Sequence, residues 1–152
     1  MKHSWVALTL PILMSLAGIA LGAPTSAQEL TLLPRFAPDP TVNSGKIRGD
    51  LSLADLAPPN KPMDGKCGGY GIQKPTLTLT LPRQMPFLSL LVTTEANKTL
   101  NLLVRGPEGT FCRQGSRATL AGTWAAGKYE IWIGTARGNT QSYRLSLSEV
   151  NQ

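Results

Sequence analysis

The sequence predicts an all-β protein: an antiparallel β-sandwich of jelly-roll-like form, with seven or eight strands and one disulfide. Three observations carry that expectation. Short stretches alternating polar with apolar residues recur every eight to twelve positions, separated by glycine- and proline-rich turns. No helical period is evident after the first 27 residues. The only two cysteines, Cys67 and Cys112, both lie in the part of the chain expected to be exported. An even count in an oxidising compartment reads as one bond.

Residues 1–27 have the three-part layout of a cleaved secretory signal peptide. Lys2 and His3 make a basic start, 5–23 is apolar and uncharged, and Thr25-Ser26-Ala27 places small residues before a cut. Cleavage is expected after Ala27, since Pro24 stands just beyond the alternative cut at Ala23. The competing reading is an uncleaved anchor. The run approaches the ~20 residues a bilayer requires, but Pro11 and Gly18 interrupt it. No later stretch is long enough to span a membrane, so the expected location is periplasmic or extracellular, with no span after cleavage.

Residues 28–65 read as an extended lead-in and a proline-rich loop. The lead-in (QELTLLPRFAPDP) holds three prolines, with Leu30, Leu32 and Phe36 available to tuck against the body. The stretch 41–49 is polar and turn-rich, and 50–56 (DLSLADL) fits an edge strand or a single helical turn. Three prolines in 57–65 (APPNKPMDG) enforce a loop. The sandwich proper is expected over 66–150. The glycines of 66–72 (KCGGYGI) permit a sharp bend beside Cys67. In 76–81 (TLTLTL), Leu77, Leu79 and Leu81 share an inward face. The run 87–93 is apolar on both faces, as in a deeply buried strand, and 99–105 follows as another. Gly106-Pro107-Glu108-Gly109 is a turn leading to a returning strand at Cys112, and 113–117 (RQGSR) is a polar excursion. Residues 118–124 then lead to two alternating stretches, 128–135 (KYEIWIGT) and 141–149 (QSYRLSLSE), read as a hairpin with a short polar loop. Tyr129, Ile131 and Ile133 oppose Glu130 and Trp132, while Tyr143, Leu145 and Leu147 oppose Arg144, Ser146 and Ser148.

The formal charge of +6 is spread thinly over a chain of which 16% is charged, unlike the dense basic blocks that bind nucleic acid, so no nucleic-acid partner is expected. Cleavage would remove Lys2 and His3, leaving 14 basic residues against nine acidic ones and no histidine. Such a chain has no Ser-His-Asp or Cys-His apparatus and no imidazole metal ligand. The nine carboxylates fall in turns, the lead-in or outward strand positions, with no spacing that pairs two of them and no D-x-D run. No catalytic residue, cofactor or metal is therefore expected, and the chain reads as a non-enzyme. Trp132, on the face opposite Ile131 and Ile133, is the candidate aromatic for ligand stacking. Arg105, Arg113, Arg117, Lys128 and Arg137 stand near turns and are candidates to gather at one end of the sandwich. Asn97-Lys98-Thr99 matches a glycosylation sequon, a match common by chance.

Several segments taken in order resemble secreted bacterial pre-peptidase C-terminal-like domains. They are Phe36-Ala37-Pro38-Asp39-Pro40, Cys67-Gly68-Gly69-Tyr70, and the turn from Gly106 through Pro107-Glu108-Gly109 to Cys112. The strand Gly127-Lys128-Tyr129-Glu130-Ile131-Trp132-Ile133-Gly134 and the closing Leu145-Ser146-Leu147-Ser148-Glu149 complete the pattern. The resemblance implies a jelly-roll-like sandwich with a Cys67–Cys112 bridge. Some relatives carry a peptidase label inherited from proteases that bear such a domain as an accessory. Relatives often have an acidic run after the second cysteine, whereas this chain has Arg113 and, shortly after, Arg117. The expected function is a non-catalytic exported binding or accessory domain whose partner is an envelope protein or glycan. The alternatives are a protein associated with a secreted peptidase or glycan hydrolase, and an anion-binding module that uses Arg113 and Arg117.

Overall fold

In a computed structural model, the structure describes residues 27–57, 63–95 and 98–152. The expected signal peptide up to residue 26, the middle of the proline-rich loop and Asn97 of the sequon lie outside the described residues. Strands β1 (Gln28–Thr31) and β2 (Thr41–Arg48) precede β3 (Leu51–Ser52), the single helical turn α1 (Leu53–Leu56), β4 (Met63–Asp64) and β5 (Tyr70–Gly71). Three long strands come next: β6 (Leu77–Leu81), β7 (Met85–Thr93) and β8 (Leu100–Gly106). Strands β9 (Gly109–Gly115), β10 (Arg117–Trp124), β11 (Gly127–Gly134) and β12 (Thr140–Ser148) complete the chain. Among the described residues eight strands reach five residues or more, in line with the number of alternating stretches.

Two sheets face each other. One runs β1-β6-β11-β8-β9-β4 and the other β10-β7-β12-β2, with β3 and β5 forming a separate small pair. Pairing within the two large sheets is antiparallel except at two edges, where β1 joins β6 and β4 joins β9 in parallel. The alternation of each strand determines what lies between the sheets. Leu77, Leu79 and Leu81 of β6 are fully covered, and cross-strand partners in β11 extend the file, Tyr129 beside Leu79 and Ile131 beside Leu77. Opposite them Leu90 and Val92 of β7 stand beside Leu147 and Leu145 of β12, again fully buried. Each such side chain contributes roughly 1.5–3 kcal/mol on burial. The apolar outer face of β7 is explained by Leu91 and Ser89, which are also buried. Gln152 of the C-terminal tail reaches back across that face to the Ser89 carbonyl, 3.3 Å away.

Three expectations are corrected. First, 128–135 and 141–149 form strands β11 and β12, but these are not a hairpin. β11 lies between β6 and β8, β12 lies between β7 and β2, and residues 135–139 carry the chain from one sheet to the other. A five-residue loop can close a hairpin or cross the ~10 Å between packed sheets. Here both edges of each strand are already taken by other partners. The tight β8–β9 hairpin does form as expected, with Gly106 opposite Gly109. Second, the lead-in belongs to the sandwich. β1 extends the six-stranded sheet, and β2 pairs with all but the last residue of β12, from Thr140–Arg48 to Leu147–Thr41. The tucking of the lead-in is as expected: Leu32 enters the core, and Leu30 and Phe36 pack against it. Third, the stretch 50–56 is neither edge strand nor helix alone, but β3 followed directly by α1.

The lead-in and the end of β12 meet in space. The Asp39 carboxylate accepts from the Glu149 N–H at 3.1 Å, and the Glu149 carboxylate accepts from the Arg35 N–H at 2.7 Å. These bonds fasten the lead-in to the end of β12. At the β8–β9 turn, Gly106 leaves room for the Tyr129 ring: a Cβ there would lie 2.2 Å from Tyr129 Cδ1. Gly106→Ala should therefore lower unfolding free energy by about 1–3 kcal/mol, measured by urea titration. The exposed Lys128→Ala on the neighbouring strand should change it by less than about 0.5 kcal/mol. Equal effects from the two would show that the ring contact is not tight.

Candidate functional site

The outward faces of the two sheets differ. On the six-stranded sheet, Trp132 of β11 stands opposite Leu103 of β8, which stands opposite Cys112 of β9, making one apolar row across three strands. Leu53 of α1 packs onto this row, with Leu56, Ala57 and Cys67 at its margin. Gly71 and Gly134 leave the space that Leu53 fills; a Cβ on Gly134 would lie 2.6 Å from Leu53 Cδ1. The Cys67–Cys112 disulfide ties this cover to β9, its Cα atoms 5.1 Å apart. Cys67 itself lies in the loop between β4 and β5, not in a strand. The sequence separation of 45 residues makes the bond worth about 4 kcal/mol if it acts by restricting the unfolded chain.

Trp132 is therefore not a ligand platform. It points away from Ile131 and Ile133, as the alternation requires, but only 2% of it is exposed. Its indole N–H donates to the Gln73 carbonyl at 3.3 Å, and the Arg105 guanidinium lies 4.9 Å from the ring centroid. Arg105 also pairs with Glu130 at 2.6 Å and donates to the Leu56 carbonyl at 3.1 Å, so one side chain joins β8, β11 and the end of α1. The sequence signal that would have exposed this error is the apolar pattern of 50–56, whose Leu53 and Leu56 need a surface to cover.

The basic residues do not gather as expected. Arg113 pairs with Asp64 at 2.6 Å and donates to the Cys112 carbonyl, which fastens β9 to the β4 edge. Arg137 lies over the Tyr70 ring at 5.5 Å. Arg117 stands on β10, in the other sheet. There it belongs to a group with Arg144, Lys46 and Arg48. Arg117 is opposite Thr93, Thr93 is opposite Arg144, and Arg144 is opposite Ser44, so four strands contribute to one row. Since Ala118, Val92 and Leu145 point into the core, this row points outward. Lys46 and Arg48, opposite Ser142 and Thr140, extend it along β2. All four cations are exposed, and among the described residues none has an ion-pair partner. An open hollow of about 510 Å³ lies here, lined by Ser44, Lys46, Thr93, Glu95, Ser142 and Arg144 among others. The outward reading of Arg144 was available from its strand; its neighbours become visible only through the pairing of β2 and β10.

The nine carboxylates divide into two groups. Asp39, Asp64, Glu108, Glu130 and Glu149 bond to backbone amides, a tyrosine hydroxyl or an arginine. Glu29, Asp50, Asp55 and Glu95 are exposed. Among the described residues no three His, Cys, Asp or Glu side chains cluster as metal ligands would, and no helix is long and apolar enough to cross a membrane.

The Glu108 carboxylate accepts from the Ala125 N–H and lies 3.1 Å from the Tyr129 hydroxyl, which is also 2.9 Å from the Ala125 carbonyl. Burial, and then the Glu108 contact, raise the Tyr129 phenol well above its ordinary range; burial alone raises Tyr143. Ionisation near pH ~10 then occurs first in the unfolded chain. The stability from these phenols is intact below that pH and falls as pH rises toward their native values. Urea unfolding followed from pH ~8 to ~11 should show this decline. Tyr129→Phe should cost about 1 kcal/mol at neutral pH and make the alkaline decline shallower. An unchanged slope would remove Tyr129 from the account.

No protein-family profile matches the chain. It is 36% identical over 104 residues to an uncharacterized protein of Synechococcus elongatus, an alignment that covers 59% of this chain and 76% of that one. Its fold is similar to the crystal structure of the pre-peptidase C-terminal domain of a collagenase from Bacillus anthracis. The TM-score is 0.51 and the identity 12%, over 84% of this chain and 99% of that domain. The Cys67–Cys112 bond fits a periplasmic or extracellular location. This chain belongs to the family of the Synechococcus elongatus protein, and it has the pre-peptidase C-terminal-like fold.

Proposed function

We propose that the chain is a non-catalytic, exported β-sandwich that serves as a binding or accessory domain in the bacterial envelope or outside the cell. The observation that carries this reading is how its carboxylates are used. Five of the nine hold strands, turns and the lead-in together, and four stand exposed. A general acid or a carboxylate nucleophile needs a group held free in a cleft with a partner at working distance. The disulfide supports export, and cleavage after Ala27 would leave β1 whole, since β1 begins at Gln28. The structural likeness to a domain of a collagenase supports an accessory role beside a secreted enzyme.

Expression of the full chain in a bacterial host should yield a periplasmic or secreted product whose mass corresponds to a start at Gln28 and one intact disulfide. That product should release no fragments from casein, gelatin or bacterial polysaccharides. Turnover abolished by replacing one of the carboxylates would contradict the reading, as would retention of residues 1–27 in a membrane fraction.

A further inference from the structure

We propose that the outward face of the β10-β7-β12-β2 sheet is a docking surface for an acidic polysaccharide. The proposal deepens the reading above, resting on a binding role and naming the ligand class and the face.

The argument begins with register. Arg117 and Arg144 sit on either side of Thr93 in one cross-strand row, so their Cα atoms are two strand spacings, about 10 Å, apart. Lys46 lies one strand beyond Arg144 and two residues along, about 8 Å away, and Arg48 follows about 7 Å further along β2. The four cations thus form a track that crosses the sheet and turns along its edge. All are exposed, and no described acidic side chain pairs with them. Glu95 is the one carboxylate bounding the hollow in their midst. Arg105 and Arg113, by contrast, each have a carboxylate partner at 2.6 Å; what sets the four apart from the other unpaired cations is that strand pairing brings them to one face. Unpaired cations on one face raise the local concentration of polyanions and add attraction at each contact.

Hydroxyls select among polyanions. Ser44, Thr93, Ser142 and Thr140 stand between or opposite the cations on the same face. An acidic sugar chain presents carboxylates or sulfates together with many hydroxyls, and this surface can answer both. An anionic membrane would reward large apolar anchors beside the cations. Two large apolar side chains are exposed by the track, Val42, two positions beyond Ser44 along β2, and Ile72, which shares a small hollow with Lys46; neither is aromatic.

The test uses the disulfide-bonded chain starting at Gln28, with heparin as the sulfated probe and alginate as the uronate probe, by calorimetry at several salt concentrations. Wild type should bind both, with affinity falling steeply as salt rises. Arg117→Ala/Arg144→Ala should weaken binding about 25-fold, at about fivefold per cation, and flatten the salt dependence. Arg117→Lys/Arg144→Lys should retain most of the binding, and Arg113→Ala should bind like wild type. Thermal unfolding of each variant identifies any loss caused by misfolding. The proposal is overturned if neither polysaccharide binds, or if Arg117→Ala/Arg144→Ala binds like wild type while folded. It is also overturned if Arg113→Ala loses as much, or if the protein prefers phosphatidylglycerol vesicles or duplex DNA to both polysaccharides. Shortening of a bound polysaccharide would contradict the non-catalytic reading and leave the docking surface standing, so the two fail separately.

Discussion

Trp132, Leu103 and Cys112 stand side by side on the outward face of the six-stranded sheet, and covering that row organises much of the remaining chain. An indole and a leucine left open there would expose apolar surface on a sheet whose other face is already the core. The cover comes from α1, Ala57 after it and the loop that carries Cys67. A single helical turn and strands of two residues have little cooperative stability of their own. The disulfide and the Arg105 side chain hold what local hydrogen bonding cannot. Arg105 meets Glu130, Trp132 and the Leu56 carbonyl at once.

The opposite sheet carries Arg117, Arg144, Lys46 and Arg48 on its outward face. The arginines of the strands follow the same division. Arginines associated with the covered sheet are used internally, joining neighbouring strands and holding the cover and the β4 edge. Those on the β10-β7-β12-β2 face project without acidic partners among the described residues. Four cations scattered along the chain are brought to one face by strand pairing. Five of the nine carboxylates bond within the fold, and the proposed non-catalytic reading rests on that use.

The periodicity of individual strands was legible because a period of two reports directly which side chains share a face. Leu77, Leu79, Leu81, Tyr129, Ile131 and Ile133 all point inward as read. Partnership was not legible. Nothing in β11 or β12 distinguishes a strand that returns beside its neighbour from one that crosses to the other sheet, because both bury the same alternating set. β2 was passed over since its inward face holds Asn43, Gly45 and Ile47, a weak apolar signal. That composition suits an edge: Asn43 bonds to the Tyr143 hydroxyl, and Gly45 makes room for the same ring. The face of Trp132 follows from the alternation of β11, but its burial does not, since it depends on a cover distant in sequence. The cation track was missed for the same reason, its members being drawn from three strands.

The most direct test of this organisation is hydrogen exchange at the two indole N–H groups of the chain from Gln28, followed by NMR before and after the disulfide is removed by Cys67→Ser/Cys112→Ser. The Trp124 indole, bonded to the Leu88 carbonyl at 3.0 Å within the main core, provides the internal reference. The account predicts that both indoles are protected in the disulfide-bonded protein, and that Trp132 alone loses most of its protection when the bond is absent. Protection of Trp132 unchanged without the disulfide, or free exchange of Trp132 with the bond intact, would contradict it.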